Sequence, residues 1–181
     1  MAEERKLLGK DRREFLLNIL KESKEPITGG DLANRANVSR QVIVNDITLL
    51  KAKNEPIVAT SQGYLYLQHA ATTDTFEKTV ACFHSPDQVE NELNLIVDHG
   101  VTVKDVKIEH PVYGDLTASI MVSNRSEVKQ FIEKIQSTKA VYLSNLTQGV
   151  HLHTIVAKKE QQLLDVEANL KKAGFLIDTN E

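Results

Sequence analysis

Thr28-Gly29-Gly30-Asp31-Leu32-Ala33-Asn34-Arg35-Ala36-Asn37-Val38-Ser39-Arg40-Gln41 decides how the first third of this chain folds. Leu32, Ala33 and Ala36 recur at helical spacing and predict a short helix. Asn37-Val38 supplies a turn, since asparagine is at ease in a left-handed backbone conformation. Ser39 is of the type that caps a helix start, and it opens a further helix running to about Lys53. Val42, Ile43, Ile47 and Leu50 form its stripe to be buried, which leaves Arg40, Gln41, Val44, Asn45 and Thr48 facing outward. Two short helices across a tight turn describe a helix-turn-helix.

Working outward, Phe15, Leu16, Ile19 and Leu20 predict a preceding helix over 10–23, stopped by Pro26. Downstream, Pro56–Thr60 and Tyr64–Leu67 flank Ser61-Gln62-Gly63 and read as a β-hairpin, a wing. The stretch Thr28–Leu67 resembles bacterial winged-helix repressors, on Asp31-Leu32-Ala33, Ser39-Arg40-Gln41, Asp46-Ile47 and Leu50. Ser39, Arg40, Gln41, Asn45 and Thr48 are the candidate DNA-binding residues, because arginine and glutamine match guanine and adenine edges in the major groove. Arg12, Arg13, Lys51 and Lys53 suit phosphate instead, and Asp46 suits a cap or a salt bridge. A protein-interaction module on the same three helices is the competing reading.

The 181 residues suit two compact domains, expected at 1–68 and 76–181 around a small polar linker, 69–75. Net charge is −3, but residues 1–60 carry 11 Lys+Arg against 9 Asp+Glu, so a nucleic-acid case rests on the motif and not on the charge. A single cysteine, Cys82, excludes an internal disulfide and fits a reducing cytoplasm. No run reaches the roughly 18 apolar residues of a membrane span, and Ala2–Lys6 does not read as a signal peptide. A cytoplasmic protein is expected.

Beyond the linker the pattern alternates. Phe76–Phe83 predicts a strand with Val80, Cys82 and His84 of one parity. Ser85-Pro86-Asp87-Gln88 opens a helix with serine as N-cap and glutamine closing a capping box, and that helix runs to Gly100. Val103–His110 and Leu116–Val122 alternate as strands; Val128, Phe131, Ile132 and Ile135 mark a helix; 149–157 is a fourth strand; 160–173 is a last helix closed by Gly174. The order β-α-β-β-α-β-α predicts an α+β fold, a mostly antiparallel sheet with helices on one face, similar in order to the open-faced sandwich of HPr.

His151-Leu152-His153 carries the chemistry of this half. On a strand, His-x-His points both imidazoles one way, and a third histidine with a carboxylate completes a transition-metal site. Two solvated imidazoles are the plainer reading. Phe83-His84, His110-Pro111-Val112-Tyr113-Gly114 and Leu146–Thr154 together resemble the three-histidine domain of the niacin-responsive NiaR repressors. The resemblance covers nearly the whole chain. It implies repression of NAD-biosynthesis and niacin-uptake genes with nicotinic acid as co-repressor, and a metal (nickel, zinc or iron) on His84, Glu92, His151 and His153.

His110, Tyr113 and Arg125 are candidate effector contacts, through hydrogen bonding, stacking and carboxylate pairing, although each is equally readable as structural. Operator DNA, nicotinic acid and a second copy of the chain are the expected partners, since two reading heads match a palindrome. A pure metal sensor and a metalloenzyme are the alternatives; no general base stands out for the second. One tension stays open. Parity puts His151 and His153 opposite Leu152, off the apolar face, while Glu92 borders the buried face of its helix. Either the site lies at the rim of the sheet or the covered face is the histidine one.

Overall fold

The computed structural model describes residues 8–67 and 75–177, which fall in two compact units. The linker expected at 69–75 lies, Thr75 apart, outside the described residues.

In the first unit, α1 (Gly9–Glu22), α2 (Gly29–Arg35) and α3 (Arg40–Ala52) precede a hairpin of β1 (Ile57–Thr60) and β2 (Gly63–Tyr66). Capping sets the helix starts: Thr28 Oγ1 accepts the Asp31 N–H at 3.0 Å, and Ser39 Oγ accepts the Val42 N–H at 3.4 Å. The turn between α2 and α3 passes through Asn37 at φ 50°, as the sequence predicts. Leu16, Leu20, Leu32, Ile43, Ile47, Leu50 and Ile57 form the core; Val42, expected in the stripe, is only half-buried. Ile27 bridges to Tyr64, which ties the wing back to the start of α2.

Asp46 is buried on α3 and accepts from Arg12 Nε at 2.6 Å and Arg13 Nη1 at 3.2 Å. The two arginines that the sequence assigned to DNA phosphate therefore clamp α1 onto α3. Burial of the aspartate decides this, because a buried carboxylate needs cationic partners more than a solvated phosphate does.

The second unit runs β3 (Phe76–Phe83), α4 (Val89–Asp98), β4 (Thr102–His110), β5 (Gly114–Ala118), α5 (Arg125–Thr138), β6 (Val150–Ala157) and α6 (Glu160–Ala173). The sheet order is β3-β6-β4-β5, antiparallel throughout. Val89, Leu93, Ile96 and Val97 of α4, Val128 and Ile132 of α5, and Leu163, Val166 and Leu170 of α6 share one core with Val80, Cys82, Val103 and Ile155 of the sheet. That is the expected open-faced sandwich.

Three local expectations change. Pro86–Gln88 forms a 3-10 turn, so α4 starts at Val89 and Ser85 makes no cap bond; its hydroxyl donates to Asp87. The third strand ends at Ala118, because Met121 takes a left-handed φ of 51° and only Val122 returns to bridge Val103. The largest change concerns β6. Its covered face carries His151, His153, Ile155 and Ala157, while Val150 and Leu152 are 45% and 38% exposed. Register causes it: Val80 pairs with His153 and Cys82 with His151, so side chains that share the helix-covered side of β3 set the parity of β6.

Candidate metal centre and DNA-facing helix

Two neighbouring strands bring the histidines together. His84 follows β3 directly, and His151 and His153 sit two apart on β6, the neighbouring strand. Glu92 reaches them from the first turn of α4, on the face that also buries Val89, Leu93 and Ile96. Its carboxylate is 1% exposed. His84 Nε2 lies 2.7 Å from Glu92 Oε2, and the Nε2 atoms of His151 and His153 lie 3.3 Å from the same oxygen. Neighbouring rings meet edge to face, at centroid distances of 4.9 Å for His84–His151 and 4.8 Å for His151–His153.

The far side of each ring is fixed as well. Nδ1 of His84 faces the Ser85 carbonyl at 2.9 Å, that of His151 the Gly149 carbonyl at 2.8 Å, and that of His153 the Asp105 carbonyl at 2.7 Å. A carbonyl oxygen only accepts, so every Nδ1 carries a proton. Nε2 then faces the carboxylate either as the N–H of a protonated ring, which donates to Glu92, or as the lone pair of a neutral ring, which repels it unless a cation stands between them.

Two backbone irregularities make these contacts. The register shift between Val103 and Asp105 aims the Asp105 carbonyl at His153. Gly149, at φ 102°, passes so close to His84 that a Cβ there would meet the His84 carbonyl oxygen at 2.4 Å.

Burial alone would push the Glu92 carboxyl up. The charge of His153 and hydrogen bonds from His151, His153 and His84 outweigh it and hold the group well below the ordinary carboxylate range. Burial likewise lowers His84 and His153, but hydrogen bonding to Glu92 and its charge raise both above the usual imidazole value. The Cys82 thiol is pushed far up, by burial first and by Glu92 second. Glu92 Oε1 is buried without a hydrogen-bond partner. Three imidazole nitrogens with backbone-anchored second nitrogens, beside a carboxylate with an unfilled oxygen, fit a divalent transition metal.

Beside the cluster lies a cavity of about 40 Å³. Val89, Leu93, Val106, Ile120, Phe131 and Tyr142 line its apolar part, and Glu92, Ser144, His151 and His153 its polar part. Sequence reasoning missed Phe131, Tyr142 and Ser144 as cavity residues; Phe131 read as ordinary core spacing, and nothing marked the other two.

The three residues expected to contact an effector are not in this cavity. His110 Nδ1 accepts the backbone N–H groups of Val112 and Tyr113 at 3.2 and 3.3 Å, which makes it the brace of the β4–β5 turn. Tyr113 is 74% exposed on that turn, against the His110 ring. Arg125 donates through Nε and Nη2 to both carboxylate oxygens of Asp98, on the surface.

On α3, Arg40, Gln41, Asn45 and Thr48 form one exposed face that starts at the exposed cap residue Ser39. Gln41 Nε2 donates to Asn45 Oδ1 at 3.2 Å, and Thr48 Oγ1 to the Val44 carbonyl at 2.8 Å. These bonds order the face without using up its hydrogen-bonding capacity.

Comparison with known proteins finds a match in each unit. Residues 12–65 match an HTH domain and residues 77–179 a 3H domain. The chain is 62% identical over 178 residues to Transcription repressor NadR of Bacillus subtilis, covering 98% of this chain and 99% of that one. It is 40% identical over 173 residues to Probable transcription repressor NiaR of Thermotoga maritima, covering 96% and 97%.

Proposed function

This chain belongs to the 3H-domain transcription repressors, and from that membership we propose that it switches off genes of niacin uptake and NAD biosynthesis when nicotinic acid is abundant. Reading of operator DNA falls to the exposed face of α3, with Arg40 and Gln41 on base edges and Asn45 and Thr48 beside them. Two copies of the chain on a palindrome would place two such helices one DNA turn apart. Control of operator DNA is work for the cytoplasm, where the relatives' role as transcription repressors would place it.

The observation that carries the sensing half is the convergence of three backbone-anchored imidazoles and Glu92 on one point at the wall of an apolar cavity. His84, Glu92, His151 and His153 would hold a divalent transition metal, nickel, zinc or iron. Bound there, the metal supplies a Lewis-acidic position for an anionic ligand. Among the described residues the cavity wall has no lysine or arginine, so a carboxylate entering it would meet its positive partner at the histidine cluster. Phe131 and Tyr142 would offer flat apolar surface to the pyridine ring once the cavity, about 40 Å³ as it stands, widens to admit it. His110, Tyr113 and Arg125 have no part in this version of the effector site.

The test is operator binding by fluorescence anisotropy, with metal-analysed protein and with or without nicotinic acid. Affinity should rise with the acid, by roughly 5–150-fold for a coupling of about 1–3 kcal/mol. Glu92→Gln, close to isosteric, should abolish the rise and keep acid-independent binding. Tight binding that ignores the acid but disappears on chelation would point to a metal sensor instead.

A further inference from the structure

The metal reading leaves one side chain of the cluster unused. Cys82 is fully buried on β3, directly opposite His151 across the β3–β6 ladder and two residues before His84. Its Sγ, a carboxylate oxygen of Glu92 and a ring nitrogen of His151 all lie within 4.8 Å of one another. Ligand atoms around one ion stand about 3–4 Å apart when metal–nitrogen and metal–sulfur bonds have their ordinary lengths. The thiol is therefore within a small side-chain adjustment of the point on which the imidazoles converge.

A second observation is independent of the cysteine. Glu92 gathers three imidazoles on Oε2, yet Oε1 is buried with no hydrogen-bond partner. An ionised carboxylate does not keep a dry, unfilled oxygen without cost. A cysteine that only filled core would serve as well as alanine or valine, whereas this thiol stands beside the Glu92 carboxylate and interacts with it.

We propose that Cys82 is a further ligand of the metal centre, as thiolate, so that the site combines three imidazoles, one carboxylate and one sulfur. The inference rests on the reading of His84, Glu92, His151 and His153 as ligands. Coordination exchanges the thiol proton for the metal ion; the proton leaves to solvent and no electron moves. A sulfur donor biases the centre toward thiophilic ions such as zinc and cobalt and away from magnesium, calcium and manganese.

The test uses the full-length chain, stripped with a chelator and reloaded with cobalt(II) alone, with cobalt per chain measured on the same samples as the absorption spectrum. One cobalt per chain with a thiolate-to-cobalt charge-transfer band in the near ultraviolet is expected. In Cys82→Ala and Cys82→Ser the band should be lost while cobalt still binds through the remaining ligands. One bound cobalt without the band in the wild-type chain overturns the role of Cys82 and leaves the other four ligands standing. No bound cobalt at all overturns both. The wild-type spectrum decides alone if a variant fails to fold, which far-ultraviolet circular dichroism would reveal.

Discussion

At the scale of single residues, the side chains of the histidine–glutamate cluster have a structural role whatever they bind. The sequence placed His151 and His153 off the apolar face, where alanine would leave the fold intact. Both are buried, and both help to compensate the buried charge of Glu92. His153→Ala should therefore destabilise even the metal-free protein, by about 3 kcal/mol if it behaves as a broken buried ion pair. A urea midpoint equal to wild type would contradict this. Gly149→Ala should cost at least about 1–3 kcal/mol, since the added methyl meets the His84 carbonyl in a left-handed backbone; the same unfolding assay reads it. His84 and His153 both bind protons more tightly than free imidazole, so protons compete with the metal from a higher pH than usual. Metal retained per chain after dialysis at stepwise lower pH should fall as the imidazoles take up protons; retention unchanged down to the carboxylate range would argue against imidazole ligation.

Elements explain why neighbouring positions on one helix have opposite fates. On α3, Asp46 turns inward to Arg12 and Arg13, while Asn45, one residue earlier, faces outward with Arg40 and Gln41. Asp46→Ala leaves two arginines without their buried partner and should unfold the first unit at lower temperature, a loss of about 3 kcal/mol, followed by circular dichroism. Arg40→Ala should leave that transition alone and weaken operator binding by about 1–3 kcal/mol, with loss of base discrimination at one position. Equal weakening on operator and random DNA would make Arg40 a phosphate contact instead. On β6 the same logic runs with period two. Ile155 and Ala157 extend the histidine parity into the core, and Val150 and Leu152 are left on the open face.

For the whole molecule, an HTH unit and a 3H unit are joined in one chain, each with a core of its own. The histidine cluster and its cavity belong wholly to the second unit, and the α3 face to the first. Repression that answers to nicotinic acid then requires a coupling free energy between the two, which anisotropy measures as a change in operator affinity.

The sequence by itself determined the helix-turn-helix, the wing and the β-α-β-β-α-β-α order, and through the resemblance it named His84, Glu92, His151 and His153, whose side chains meet in the fold. Local signals suffice for these: capping residues, glycine and asparagine turns, periods of 3.6 and two, and motif resemblance. Only the tertiary structure decided which face of β6 is covered, because the parity of Val150, Leu152 and Val156 reads as the more apolar one and pairing with β3 overrides it. It also decided that Arg12 and Arg13 serve Asp46, that Arg125 serves Asp98, and that Cys82 stands beside Glu92 and His151. Each of these is a pairing between residues far apart in the chain, and no periodicity along a sequence encodes which distant partner a charge or a thiol will meet.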